Sequence, residues 1–443
     1  MLAACSYGGA ETAEAANPAA PGHSTTTSAD FLAQLPDGAA KRRFLLDCTN
    51  CHTFDETSMR EGDVLRTRAS WIATVQRMLG YAGANTAFPV MSVGRDAEQT
   101  ADWILRYAVN TPAAGVERVL PPGARVDEFL LPVAEDLPHD VAVLDDGRVL
   151  VTGMFTHQIW VLDPTRNQWD AEAIPVASAN PRAIDLTPRR GIEGAYDWWV
   201  LLGEPNRLAR RDGLTGEWTS YELGVYGHSV VPDANGRIWF NSHFTRDPGI
   251  VGYVDRSTGD VVKFEIPSPS HLADGGTPIP YGLRVAPNGS VWGTELRGNR
   301  IVRLDPQSGA VRTFDMPVAV SGPRRPDFDA DGNFWIPEYA GNALTRFDPN
   351  TETFRRYPLP IRDALPYVVR VDRTRGRIWI GTGAADAVFM FDPRTEQFQM
   401  YPLPSRGALV RHIDIHDATG EVWLAYGAAP GIPARIARLT PAD

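Results

Sequence analysis

The sequence predicts a small all-α domain followed by an all-β, seven-bladed β-propeller, and three observations carry that prediction. From about Val126 onward, an apolar strand after a DG- or NG-type turn recurs around a central tryptophan. The copies are Trp199, Trp239, Trp292, Trp335, Trp379 and Trp423, with Leu150 in the first. An aspartate follows that position by 13 residues in five copies: Asp163, Asp212, Asp305, Asp348 and Asp392. In the Trp239 copy it is Asp255, after a three-residue insertion. Seven copies of about 44 residues, each long enough for four short strands, are the pattern of a propeller with one blade per copy. Upstream of this repeat, the periodicity is helical and surrounds the pentapeptide Cys48-Thr49-Asn50-Cys51-His52.

Composition bounds the rest. At 43% hydrophobic and 22% charged residues, the 443-residue chain has material for two or three packed cores. The 36 prolines, 40 glycines and 12 tryptophans favour many short strands joined by tight turns. A formal net charge of −11, with no basic stripe, argues against nucleic acid as a partner. No run reaches the ~18 apolar residues of a membrane-spanning helix.

The first element, residues 1–29, reads as a tether. Leu2-Ala3-Ala4-Cys5 has the form of a bacterial lipobox, in which Cys5 would carry a lipid as the only membrane contact. Ser6 to Ala29 is rich in Ala, Gly, Ser, Thr and Pro and reads as flexible.

Residues 30–112 form the next unit. Cys48 and Cys51 are two of only three cysteines in the chain. In a CxxCH, two thiols one helical turn apart can form thioethers with haem vinyl groups, and the adjacent imidazole can ligate the iron. A thioredoxin-like pair would need a βαβ context, and a zinc site would need four ligands; neither is present nearby. Covalent haem attachment takes place outside the cytoplasm, which favours the periplasm. Asp37–Asp47 can form a short helix running into the motif. Asp96–Tyr107 has a helical start and an apolar face at Trp103, Ile104 and Tyr107, and Trp71–Met78 reads as a middle helix.

Over these roughly 80 residues the chain resembles class I cytochromes c, built from crossed terminal helices. The resemblance implies haem c held by Cys48, Cys51 and His52. It also implies a methionine as sixth ligand from the loop before the last helix, where Met91 lies in Phe88-Pro89-Val90-Met91-Ser92. Met78 is the alternative ligand, although on an amphipathic helix a methionine more often fills core space.

Residues 113–125, with Pro121 and Pro122, form a short linker to the propeller at 126–443. Blades end in strands finishing with proline, as in Phe264-Glu265-Ile266-Pro267 and Tyr401-Pro402-Leu403-Pro404. The seventh copy lacks that strand. Val126–Pro132 has its pattern and is expected to close the ring from the far end of the chain.

The repeat wording resembles the streptogramin (virginiamycin B) lyases over about 300 residues. The match is seen in Gly332-Asn333-Phe334-Trp335-Ile336-Pro337-Glu338 and Gly289-Ser290-Val291-Trp292-Gly293-Thr294-Glu295. The resemblance implies Mg²⁺-dependent ring opening of a cyclic depsipeptide by elimination. It implies metal ligands at His228 and Glu295 in consecutive blades. The position 11 residues before each central residue holds His139, His228, Tyr281, Arg324, Val368 and His412. Tyr281 stands where the family has its general-base histidine, and a phenol with a pKa of about 10 is a poor base at neutral pH. His412 and Glu338 add to a polar lining suited to a ligand, and the arginines Arg324, Arg325, Arg370 and Arg411 can equally hold an anionic ligand or pair with Asp and Glu at blade ends.

Three functions follow from these readings. The first is an exported haem c electron-transfer protein with a redox partner or small-molecule substrate at the propeller. The second is a metal-dependent lyase with an accessory haem domain. The third is a propeller that serves as a protein-docking module.

Overall fold

The computed structural model describes residues 26–107, 117–244, 248–272, 276–427 and 432–442. The lipobox at Cys5 and most of the tether lie outside the described residues, as do 108–116 at the start of the linker. Residues 26–107 contain helices α1 (Ser28–Leu32), α2 (Ala39–Cys48), α3 (Glu56–Met59), α4 (Arg68–Ala82) and α5 (Ala97–Tyr107). Helix α2 runs into the CxxCH turn. Its Phe44 packs on Trp103 of α5, with ring centroids 5.2 Å apart, and on Phe54, 5.4 Å away. On α5, Ala97, Thr100, Ala101 and Ile104 are buried, whereas Tyr107, expected on the apolar face, is exposed at the helix end.

The remainder is a seven-bladed β-propeller of four-stranded antiparallel sheets. The innermost strands are Pro138–Val143, Pro181–Pro188, Gly227–Pro232, Pro280–Val285, Asp327–Phe328, Pro366–Asp372 and His412–Ile415. Arg125–Leu130 supplies the outer strand of the last blade. It pairs with Arg435–Thr440, Val126 opposite Leu439, so that the two ends of the propeller sequence meet in one four-stranded blade and close the ring.

The repeat has a physical basis at each position. All six repeat tryptophans, Trp199 to Trp423, are buried to 1% exposure or less and fill the wedge between neighbouring sheets. Several stack on an aromatic ring of the outer strand, for example Trp292 on Phe314 at 5.9 Å. At Trp199, Trp239, Trp292 and Trp335 a side-chain oxygen takes the indole N–H, as Asp329 Oδ2 does from Trp335 at 2.7 Å, whereas the indole N–H groups of Trp379 and Trp423 are buried without a partner among the described residues. The repeated aspartates close the hairpin to the outer strand. Asp305 Oδ1 accepts from the Gln307 N–H at 2.9 Å and Asp212 Oδ1 from the Leu214 N–H at 2.9 Å.

Candidate functional site at the channel mouth

The N-terminal ends of the seven inner strands converge at one end of the propeller channel. Five of those strands break register at their first residues: Pro138/Val141, Pro181/Ala183, Gly227/Val230, Pro280/Leu283 and Pro366/Val368. Each break leaves a residue unpaired and re-aims its side chain. The residues at these breaks include His139, Arg182, His228, Tyr281 and Tyr367, joined from the other two blades by Arg324, Arg325, Arg411 and His412.

The ring is dense with polar contacts. Asp140 receives Arg325 at 2.9 Å and the His139 Nδ1 at 2.8 Å, with His412 Nε2 at 3.6 Å. Burial alone would raise the Asp140 pKa, but the Arg325 guanidinium and the hydrogen bond from His139 hold it well below the usual carboxylate range. Burial depresses His139 to about 4 and His412 to about 3, so both imidazoles are neutral at pH 7. His228 Nδ1 donates to the Tyr281 carbonyl at 2.9 Å, and its Nε2 has no partner although the residue is fully buried. His243, 4.4 Å from the His228 ring, donates to the Pro280 carbonyl at 3.0 Å.

The phenols form a second layer. Tyr281 and Tyr367 share a hydrogen bond between hydroxyls, and Arg324 Nη1 donates to Tyr281 at 2.8 Å. The Arg324 guanidinium also lies over three rings, 3.7 Å from Tyr339, 4.1 Å from Tyr367 and 4.9 Å from Tyr281. Burial raises both phenol pKa values. For Tyr367, Arg324, Arg325 and Arg411 outweigh it and bring the group below the ordinary tyrosine value. Tyr281 remains raised.

The sequence-derived site divides here. His139, His228, Tyr281, Arg324 and His412 meet at the mouth. Glu295 does not join them: it lies opposite Arg300 on the neighbouring strand of its own blade and is bound by it at 2.5 Å. Burial pushes its pKa up, against the pull of Arg300. Glu338 is held likewise by Arg356 at 2.8 Å. Magnesium prefers about six oxygen ligands, and the expected pair offers one imidazole and one carboxylate already ion-paired. Among the described residues, no group of three or more His, Cys, Asp or Glu side chains is placed to hold a metal ion. The donors do not fit Mg²⁺.

The position assigned to Val368 also changes. Val368 packs in its sheet opposite Gly381, and the register break turns the preceding Tyr367 into the channel. Arg182, His243, Tyr339 and Tyr367 were missed by counting from the tryptophans. A proline directly before His139, Arg182, Tyr281 and Tyr367 was the available signal, since proline removes a ladder donor and marks the break.

The CxxCH turn sits on this ring. Tyr339 donates its hydroxyl to the Thr49 carbonyl at 2.6 Å, Arg324 donates to Asn50 Oδ1, and Arg411 donates to the Cys51 carbonyl at 3.2 Å. Asp47, just before the motif, is bound by Arg297 of the propeller and Arg95, and accepts from the Ser92 N–H at 2.9 Å. Lys41 pairs with Asp363 at 2.6 Å, and Phe88 packs on Tyr226 and Phe244.

Cys48, Cys51 and His52 are the residues that would hold a haem here. Cys48 and Cys51 are reduced thiols on one turn, the first with its pKa pushed up to about 12 by burial. His52 donates Nδ1–H to the Thr53 carbonyl at 2.8 Å, which leaves Nε2 as the nitrogen that would ligate an iron. Met91 is buried, in a loop pinned to Asp47 through Ser92, whereas Met78 is half-buried on α4. The Trp71 Nε1 and Tyr81 hydroxyl of α4 are buried without partners.

These features define a seven-bladed propeller whose channel mouth is a ring of histidine, tyrosine and arginine, capped by a CxxCH turn. The model of the virginiamycin B lyase family matches residues 190–442, and the chain belongs to that family. Among solved structures, a streptogramin B lyase aligns at 20% identity over 72% of this chain and 98% of its own, with a TM-score of 0.62. Catalytically inactive virginiamycin B lyase from Staphylococcus aureus, solved with quinupristin, aligns at 19% identity over 72% of this chain and 100% of its own, TM-score 0.61. YCF48 bound to a D1 peptide is similar at 14% identity, over 72% of this chain and 97% of its own, TM-score 0.54. At these identities the likeness is one of fold. No curated protein matches the chain.

Proposed function

We propose that this is an exported, haem c-bearing electron-transfer protein whose propeller binds the ligand or partner that the electrons serve. The observation that carries the reading is the contact of Thr49, Asn50 and Cys51 with Tyr339, Arg324 and Arg411, which holds the haem-attachment turn against the channel ring. A covalently bound haem supplies one-electron transfer at this position. The chain's own residues do the positioning. His52 is oriented by Thr53, Asp47 fixes the start of the motif and the Met91 loop together, and Tyr339 and Arg411 hold the turn by its carbonyls. Met91 is the sixth ligand in this reading.

The test is a pyridine haemochrome spectrum of the full chain produced outside the cytoplasm in a host able to attach haem c. A c-type spectrum is expected, lost in Cys51→Ala; a wild-type protein without covalent haem would overturn the reading. Met91→Ala is expected to lose the weak red charge-transfer band of iron–thioether bonding while Met78→Ala keeps it.

Family membership and the unpartnered Nε2 of His228 support a second reading, a lyase acting on a cyclic peptide or ester. Incubation with quinupristin and mass analysis separates the two. Linearised product from wild type, absent with His228→Ala, would favour the lyase. The first reading expects no product.

A further inference from the structure

The channel ring buries more positive charge than it neutralises. Arg182, Arg324, Arg325 and Arg411 are exposed by 9%, 0%, 5% and 5% respectively. Asp140 is the carboxylate among them, and it is taken by Arg325. Among the described residues, Arg182, Arg324 and Arg411 have neutral partners: the Tyr226 hydroxyl, the Tyr281 hydroxyl with Asn50, and the Gly427 and Cys51 carbonyls. The neighbouring histidines add no counter-charge. Burial brings Arg182 down to about 10, against the opposing pull of Tyr281, Tyr367 and Asp140.

An uncompensated buried cation is costly, and three guanidiniums around Tyr281 and Tyr367 with no carboxylate partner of their own among the described residues leave room for an anion. The donors for one are present. The Nε–H groups of Arg182, Arg324 and Arg325 are all buried and unpartnered. So is His228 Nε2, which is an acceptor because Nδ1 carries the proton. These groups belong to one packed layer. Arg182 lies over Tyr226, whose ring leads through His243 to His228, and His228 stacks on Tyr281 beneath Arg324.

We propose that this ring is a binding site for the carboxylate of a small organic acid, with a hydroxyl of the same ligand donating to His228 Nε2. Planar guanidinium donors match a carboxylate fork. The aromatic faces of Tyr281, His228 and His243 favour an organic body over a hydrated inorganic ion. The site is defined by the propeller's own residues and stands whether or not Cys48 and Cys51 carry haem.

The test is calorimetric titration of the full-length chain, as purified, with mandelate, phenylacetate and inorganic phosphate. Mandelate is expected to bind, phenylacetate more weakly for want of the hydroxyl, and phosphate weakest. Arg182→Gln and Arg324→Gln should each weaken mandelate about tenfold or more, the loss of a charge-assisted hydrogen bond. Ligand-free Arg182→Gln should melt no lower than wild type, because it removes an uncompensated buried charge. Should it fail to fold, Arg182→Lys keeps the charge but loses the fork and should weaken mandelate similarly. Absence of binding, phosphate binding as tightly as mandelate, or affinities unchanged in the arginine variants would overturn the site. A haem-free Cys48→Ala/Cys51→Ala chain that binds mandelate while the haem-loaded chain does not would assign the ring to haem propionates and overturn the free-ligand proposal.

Discussion

Replacing Asp47 by alanine tests whether the CxxCH unit and the propeller are held as one body. Its side chain is fully buried and receives two guanidiniums, Arg95 (15% exposed) and Arg297 (9% exposed), together with the Ser92 backbone N–H and hydroxyl. Arg297 also reaches the Val90 carbonyl at 2.8 Å and the Ser92 hydroxyl at 2.7 Å. One carboxylate therefore ties α2, the Met91 loop and a propeller loop together. Removing one partner of a buried ion pair costs about 3–5 kcal/mol, because the other charge stays buried. Arg95 can turn outward, so the lower half of that range is expected, about 3 kcal/mol. Arg297 cannot do so without leaving the interface, and the strain therefore falls on docking. Urea unfolding of wild type, Asp47→Ala, Arg297→Ala and the double variant, followed by tryptophan fluorescence, measures both the loss and the coupling. Coupling between Asp47 and Arg297 of about 1–3 kcal/mol is expected. Limited proteolysis should cut the Asp47→Ala chain between the two units sooner than wild type. A loss below about 1 kcal/mol, with additive single variants, would refute the claim that this carboxylate joins the units.

Other outcomes follow from packing and burial. Gly282→Ala puts a methyl 2.1 Å from Pro326 Cδ and 2.7 Å from the Arg324 carbonyl, neither of which is a flexible side-chain end. It should cost at least the upper part of about 1–3 kcal/mol in urea stability. Asp386 is buried, and its carboxyl is raised from 3.8 to about 6, chiefly by desolvation. The folded chain thus holds this proton more tightly than the unfolded chain. The group's contribution to stability is complete below about pH 4 and is lost as pH rises through about 6. Asp386→Asn cannot ionise, so its urea midpoint should gain on wild type between pH 4 and pH 7; a constant difference across that range would contradict the assignment.

The blades could be read from sequence because their signal is local. A tryptophan and an aspartate at fixed separation serve one hairpin each, and every copy repeats the same packing problem. The channel residues were readable only where the count from tryptophan survived. It survived at His139, His228, Tyr281, Arg324 and His412. It failed at Tyr367, where the bulge falls one residue earlier, and at Arg182, where a longer hairpin intervenes. Glu295 was expected as a ligand from the family resemblance; in the structure it stands directly opposite Arg300 in the sheet, which ion-pairs one of its two oxygens. The docking of α2 on the propeller left no pattern at all. Its contacts are single residues, Lys41, Asp47, Thr49, Asn50 and Cys51, each meeting a partner hundreds of residues away.

Docking and ligand recognition draw on the same arginines without exhausting them. Arg324 spends Nη1 on Tyr281 and Nη2 on Asn50, and Arg325 spends both terminal nitrogens on the Asp140 carboxylate. In both, Nε is left over. The turn's contribution is an amide oxygen and carbonyl oxygens, which accept hydrogen bonds but carry no net charge. They satisfy geometry at Arg324 and Arg411 while leaving the positive charge in place. A carboxylate on or near Asn50 would have neutralised the ring and closed it to anions. Neutral acceptors instead hold the CxxCH turn at the mouth and preserve the field beneath it. In the proposed arrangement, the electron-carrying group and an anionic ligand therefore share one wall of buried guanidiniums without competing for the same N–H groups.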